Sequence, residues 1–186
     1  MRRPVVLGHA RAAQANRRRW WAAKKKGVLI MGIFLKITCD SQGGKTAEKA
    51  TVNQGILDDV LNGLNDYAWQ DRISPQLRNL DAQFSHITLG LILRFYHKVN
   101  VEQGNLRSLA RYIKKDDKLL VDQMLVVDEY EDLSEGETRT RLCGDIVSHL
   151  EQVLIRYSDR FRDFDAVAFI PLLGKRFEEI EQHGNH

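Results

Sequence analysis

Residues 43–46 read Gly-Gly-Lys-Thr, the residue types of a phosphate-binding loop. Such a loop has the form G-x-x-x-x-G-K-[ST] between a strand and a helix, where backbone amides and the lysine surround phosphates. Cys39 stands where the pattern needs its first glycine. Residues 124–129 (Met-Leu-Val-Val-Asp-Glu) have the form of the strand that holds the nucleotide's metal, but this fold needs several parallel strands. The sequence after Ile37 indicates almost none, so we interpret residues 43–46 as a glycine-containing turn that binds no nucleotide.

The remaining residues of catalytic type show no spacing typical of a catalytic or metal site. His86 and His97 lie eleven residues apart on what the periodicity indicates is one helix, about 16 Å, which is too far for one metal ion. The cysteines, Cys39 and Cys143, form no C-x-x-C pair and are expected to be reduced thiols. No H-E-x-x-H or G-x-S-x-G motif is present. We therefore expect no catalytic residues, no metal, no cofactor and no enzyme activity.

Residues 116–137 carry the densest charge in the chain. Nine acidic residues stand against one base, Lys118, which gives −8 in 22 residues. Because like charges this dense repel one another, a basic partner is a physical reason for them; a solvated helix face is the alternative. Tyr130 is expected to be an aromatic anchor of the kind enriched at interface hot spots. The predicted partner-binding residues are Asp122, Asp128, Glu129, Tyr130, Glu131, Asp132, Glu135 and Glu137.

Helical periodicity dominates the elements that must position these residues. A strand-like apolar run at residues 33–38 comes first, and then apolar residues recur every three or four positions in most of the chain. The clearest stripe runs from Leu77 to Phe95, after a Ser-Pro helix start, and residues 116–133 are predicted to form another helix. Pro171 is expected to kink or divide the last helix. The pattern predicts an all-α, single-domain bundle of five or six helices with a short N-terminal strand-like segment near residues 33–38.

The net charge of +3 combines two unlike parts. Residues 1–30 hold nine of the 28 basic side chains and no acidic ones, so residues 31–186 carry 19 basic and 25 acidic residues, a net −6. We interpret residues 1–30 as a basic, disordered head and residues 31–186 as one helical domain. Three interpretations of the head stay open. It is a nucleic-acid-binding arm, an artefact of an upstream start, the true start being Met31, or a targeting peptide, whose Arg-rich, acid-free composition it has without the usual serines.

From Met31 onward the chain resembles, in style, the immunity proteins of bacterial polymorphic toxin and type VI effector systems. The shared traits are the abrupt Met-Gly-Ile-Phe-Leu-Lys-Ile opening, the domain length, a helical body and a concentrated acidic stretch. The resemblance implies a cytoplasmic, non-enzymatic protein that neutralises a cognate, cationic toxin by occluding its active site. It assigns no residue a role. The partner is then a toxin or another basic protein, with no membrane. The alternative is a helical nucleic-acid-associated regulatory protein that uses the basic head.

Overall fold

The computed structural model describes residues 33–43, 52–77, 85–116, 118–161 and 164–183. Four strands and five α-helices follow one another in these residues. They are β1 (Ile33–Gly43), α1 (Gln54–Leu64), α2 (Tyr67–Ile73), β2 (Ser85–Tyr96), α3 (Lys98–Gly104), β3 (Leu109–Ile113), β4 (Lys118–Val126), α4 (Glu135–Tyr157) and α5 (Ala166–His183). Single 3-10 turns occur at Ser74–Leu77, Lys114–Asp116, Val127–Tyr130 and Ser158–Arg160.

The strands form one mixed sheet in the order β1-β2-β4-β3. β1, β2 and β4 are parallel, and β3 is an antiparallel edge strand beside β4. Side chains alternate between the two faces. In β4, Leu119, Val121, Gln123 and Leu125 are buried, whereas the alternate residues are half-buried. Because α4 packs on β4 and α5 packs on α4, and their buried side chains join those of the strands in one cluster, the core lies between one sheet face and the helices.

The predicted all-α bundle is wrong: the structure is α/β. The stripe from Leu77 to Phe95 does not form a helix, because residues 85–96 are the central strand β2 and pair with β1 and β4. The apolar residues of β2 are so dense that the sequence fits both a helical period and a strand period of two residues. In the structure the buried apolar residues of β2 alternate along the strand: Leu89, Leu91, Leu93 and Phe95. Residues 118–126 are likewise strand β4, not part of a helix. Fully buried parallel strands are apolar runs that periodicity alone confuses with helices.

Other elements agree with the sequence pattern. The strand-like run at residues 33–38 is confirmed as part of β1, which continues to Gly43. Helices were expected in the regions of α1, α4 and α5, and the structure has them there. Asn53 caps α1, and its side chain accepts hydrogen bonds from the amides of Gly55 and Ile56. Pro171 lies inside α5 without dividing it. The predicted head at residues 1–30 and most of the Gly-Gly-Lys-Thr motif lie outside the described residues.

Arg176 fixes α5 to the corner between α1 and α2. Its guanidinium donates to the carbonyl of Gly63 at 3.0 Å and to Asp66 Oδ2 at 2.9 Å, and it lies 5.4 Å from the ring centre of Trp69. α1 and α5 approach closely at Gly63, where a Cβ atom would lie 2.5 Å from Cδ1 of Ile180. These contacts connect the first helix of the domain to the last. Among the described residues, no helix is long and apolar enough to cross a membrane.

Candidate functional site

The acidic turn, defined here as residues 127–135, follows β4 directly and leads into α4. It begins with the 3-10 turn Val127–Tyr130 and ends at the N-terminus of α4. In open α/β sheets, binding sites lie beyond the carboxyl ends of parallel strands. The acidic turn occupies this edge at β4, and His97 occupies it at β2. The fold therefore places the most charged segment of the chain where such proteins bind their ligands.

Asp128 has a structural contact within the domain. One of its carboxylate oxygens, Oδ2, accepts a hydrogen bond from the backbone amide of Lys98 at 2.9 Å and lies 3.3 Å from Nδ1 of His97. The Lys98 hydrogen bond lowers the pKa of the Asp128 carboxyl, and His97 lowers it further. Asp128 thus satisfies the first amide of α3 from a different element and joins the ends of β2 and β4.

Tyr130 lies beneath the acidic turn, because its side chain is buried with 6% of the residue exposed. Its hydroxyl donates to Asp145 Oδ2 on α4 at 2.6 Å. Burial, and next the hydrogen bond to Asp145, raises the pKa of the Tyr130 phenol. Arg141 donates to the same Asp145 oxygen at 3.3 Å and pairs with Glu129. The ring therefore supports the turn from below, and this structure does not expose it as the expected aromatic anchor.

Two more of the predicted binding residues also have partners inside the domain. Asp122 lies on the half-open face of the sheet, where Nε of Arg94 donates to both of its oxygens at 2.7 and 2.9 Å. Glu137 completes a capping box at the start of α4, since it accepts from the amide of Ser134 at 2.9 Å and from its hydroxyl at 2.6 Å. The Ser134 hydroxyl, followed by its amide, lowers the pKa of Glu137. These carboxylates stabilise the fold and are weaker candidates for contact with a partner.

Glu131, Asp132 and Glu135 are exposed carboxylates of the turn. They form the fewest hydrogen bonds and ion pairs with the rest of the domain. In the part of the chain that the structure describes, Glu131 and Asp132 have no hydrogen-bond or ion-pair partner. Glu135 accepts one long hydrogen bond, 3.4 Å, from the side-chain amide of Asn53. The structure therefore divides the predicted set into residues that hold the turn in place and residues whose charge faces solvent.

A half-open groove of about 270 Å³ lies beside these three carboxylates. The start of α1, the acidic turn and the first turn of α4 enclose it. Its inner wall is mainly apolar and largely buried, with the buried Thr138 and the half-buried Leu133 in it, and its rim carries Asn53, Glu131 and Glu135. No sequence signal indicated this groove, because its walls come from segments that are separated by more than 70 residues in the chain. The inner wall includes Val52, Ile56, Val127, Tyr130 and Leu133.

One group of side chains at this edge has the donors of a metal site. Ligand atoms of His97, Asp128 and Glu131 lie within 4.8 Å of one another. Imidazole and carboxylate donors suit a divalent transition metal. However, Asp128 Oδ2 already accepts from the Lys98 amide, and both acidic residues are exposed. His97 lies next to the acidic turn in the fold. Its distance from the turn in the sequence did not indicate this contact.

The comparison with protein families identifies the relationship of the chain. A family model described as Immunity protein 44 matches residues 31–179. The chain belongs to the immunity protein 44 family. This membership confirms the immunity-protein resemblance and implies a toxin partner in general terms. Immunity proteins are generally non-enzymatic, and the immunity protein 44 match spans the sheet, the acidic turn and most of α5. No curated protein and no solved structure matches this chain significantly.

Proposed function

We propose that this immunity protein neutralises a cognate toxin in the cytoplasm by binding it directly, and that the acidic turn is the contact surface. The observation that carries the proposal is the pair of exposed carboxylates, Glu131 and Asp132, which lack a partner among the described residues. They stand beside a groove with an apolar wall. Family membership supports a toxin as the partner in general.

The charges of the turn favour a basic partner. Glu129, Glu131, Asp132 and Glu135 are exposed, whereas Arg141 is the single arginine or lysine side chain among the described residues that forms an ion pair with the turn. A negative surface attracts a positive one over long range and raises the association rate. An active site that binds an anionic substrate is lined with positive charge, so the acidic turn is its natural complement. Binding there would occlude the toxin's active site, as expected for a toxin that acts on nucleic acid.

The network beneath the turn supports a preorganised surface. Tyr130, Arg141 and Asp145 connect the turn to α4, and Asp128 connects it to the start of α3. A surface that is already ordered loses less conformational entropy on binding. The acidic turn is therefore held in one conformation by its internal contacts while Glu131 and Asp132 remain available to a partner.

Charge reversal of the two carboxylates without internal partners tests this proposal. The double variant Glu131→Lys and Asp132→Lys is compared with wild type for binding to a catalytically inactive form of the toxin encoded by the adjacent gene. We expect the affinity to fall at least about tenfold at low salt and its salt dependence to weaken, because charges at an interface act mainly on association. Protection of cells that express the active toxin should fall in parallel.

A matched control separates local charge from net charge. Asp159→Lys and Glu178→Lys change the total charge equally at exposed positions outside the acidic turn. This control should bind nearly as wild type does. Equal weakening by both double variants would show that only net charge matters, and unchanged binding of the Glu131/Asp132 variant would exclude the acidic turn as the contact surface.

A further inference from the structure

The groove beside the acidic turn has the volume and lining of a socket for one side chain. Its volume of about 270 Å³ lies below the range of about 300–1,000 Å³ that is usual for small-molecule and cofactor sites. The wall residues Val52, Ile56, Val127 and Tyr130 are each at most 6% exposed. The wall is therefore packed into the core and fixed, and the groove is a preformed feature of the surface.

The rim determines the charge of the occupant. Glu131 and Glu135 stand at the opening, and both are exposed. The positive ends of α1 and α4 also meet here, and cap side chains already accept from some of their amides. Asn53 Oδ1 accepts from the amides of Gly55 at 2.9 Å and Ile56 at 3.4 Å, and the Ser134 hydroxyl accepts from the amide of Glu137 at 3.4 Å. An anion would be repelled by the two carboxylates of the rim, whereas a cation would be attracted.

We propose that the groove receives one arginine side chain from the toxin surface. Its methylene stem would lie along the apolar wall and its guanidinium between the carboxylates of the rim. Arginine carries an apolar stem below a permanently charged head, and it is enriched at interface hot spots, as a pocket-filling anchor should be. This inference rests on the proposed function, since it specifies which chemistry of a toxin the acidic turn recognises. It makes Glu131 and Glu135 the specificity-determining residues, with Leu133 at the wall.

Two variants of the full-length chain test the socket in different ways. Leu133→Trp fills the groove and leaves every charge in place, whereas Glu131→Gln with Glu135→Gln leaves the groove open and removes the charge of the rim. Asp159→Asn with Glu178→Gln is the matched control, because both carboxylates are exposed, lie outside the acidic turn and do not line the groove. Binding to the inactive adjacent-gene toxin is measured with EDTA present, so that no metal ion on His97, Asp128 and Glu131 contributes. Circular dichroism and melting establish that each variant is folded.

We expect Leu133→Trp to weaken binding at least about tenfold with its salt dependence unchanged, as for the loss of a hot-spot anchor. The double glutamine variant should weaken binding by about tenfold and lower the salt dependence, and the Asp159/Glu178 control should stay within about threefold of wild type. Folded Leu133→Trp protein that binds as tightly as wild type would overturn the socket. So would a loss of affinity in the Asp159/Glu178 control equal to that of the double glutamine variant.

A probe that needs no toxin separates the socket from the proposed function. L-argininamide is titrated into isotopically labelled protein, and amide shifts are followed by NMR. We expect saturable shifts at Val52, Ile56, Leu133 and Thr138 that disappear in the double glutamine variant. If the toxin does not bind but argininamide shifts these amides, the proposed function fails and the socket stands. If the toxin binds and neither argininamide nor groove filling has an effect, the socket fails and the proposed function stands.

Discussion

The hydroxyl of Tyr130 should stabilise the acidic turn by a measurable amount, and Tyr130→Phe removes it with little change in shape. The hydroxyl donates to Asp145 Oδ2 at 2.6 Å, within the range of charge-assisted O–H···O⁻ hydrogen bonds of about 2.5–2.7 Å. Phenylalanine keeps the ring in the core, so no cavity is created. The substitution therefore isolates one hydrogen bond between the turn and α4.

The structure sets the expected magnitude. Hydrogen bonds to charged groups contribute about 1.5–3 kcal/mol. The Asp145 side chain is 36% exposed and also accepts a hydrogen bond from Arg141. When the Tyr130 hydroxyl is lost, water and the guanidinium can therefore still satisfy the Asp145 carboxylate in part. We expect the lower end of the range, about 1.5 kcal/mol. For a chain of this length each kcal/mol lowers the melting temperature by about 2–4 °C, which gives a decrease of about 3–6 °C.

Urea denaturation of wild type, Tyr130→Phe, Asp145→Ala and the double variant measures the coupling between the two side chains in a double-mutant cycle. Tyr157→Phe is the control, because its hydroxyl donates at 2.9 Å to a neutral acceptor, the carbonyl of Ala110. We expect a coupling energy of at least about 1 kcal/mol for the Tyr130 pair. A coupling near zero would refute the reasoning that this hydrogen bond holds the turn to α4.

Three further predictions concern the body of the domain. Gly63→Ala should lower the free energy of unfolding by about 1–3 kcal/mol, measured by urea denaturation, because the added methyl group meets Ile180 where α1 and α5 approach; Gly174→Ala, which has open space, should not destabilise. Arg176→Met should cost about 2–3 kcal/mol in the same assay, since Asp66 loses its partner, and lysine should restore only part of this. Burial, and next Arg156, lowers the pKa of His149, so the unfolded chain binds a proton more readily there, and stability should fall as the pH drops below about 6.5. His149→Leu should lose less stability between pH 7 and 5, and an identical pH profile would contradict this reasoning.

The sequence allowed the immunity-protein resemblance to be recognised, but only part of the architecture to be predicted. α1, α4 and α5 were found because each buries one stripe and leaves the opposite face in water, which is the pattern that periodicity detects. The strand β2 was not predicted, because in the segment from Leu89 to Phe95 both faces of the strand carry apolar residues. Its pairing partners, β1 and β4, lie far away in the sequence. Long-range pairing therefore decided an element that local spacing left ambiguous.

The acidic turn shows the same division. Its charge was visible in the composition of residues 116–137, but the roles of the individual carboxylates were not. Asp128, Glu129 and Asp122 bind partners that come from α3, α4 and β2, and only the fold brings these together. The argument against nucleotide binding from a lack of parallel strands was also wrong, because β1, β2 and β4 are parallel. Spacing within one segment cannot report contacts made across the sheet.

The parallel pairing of β1 with β2 also bears on the order of events during synthesis. These strands meet across the connection formed by residues 44–84, and the core closes only when α5, near the end of the chain, packs on α4. Non-local contacts of this kind fold slowly. At about 5–20 residues per second, the ribosome needs roughly 2–10 s after completing the acidic turn to add the residues up to the end of α5. A newly made molecule thus spends an interval with the acidic turn present but unsupported by α4 and α5, so the surface that we propose as the toxin contact is complete only after α5 has been made.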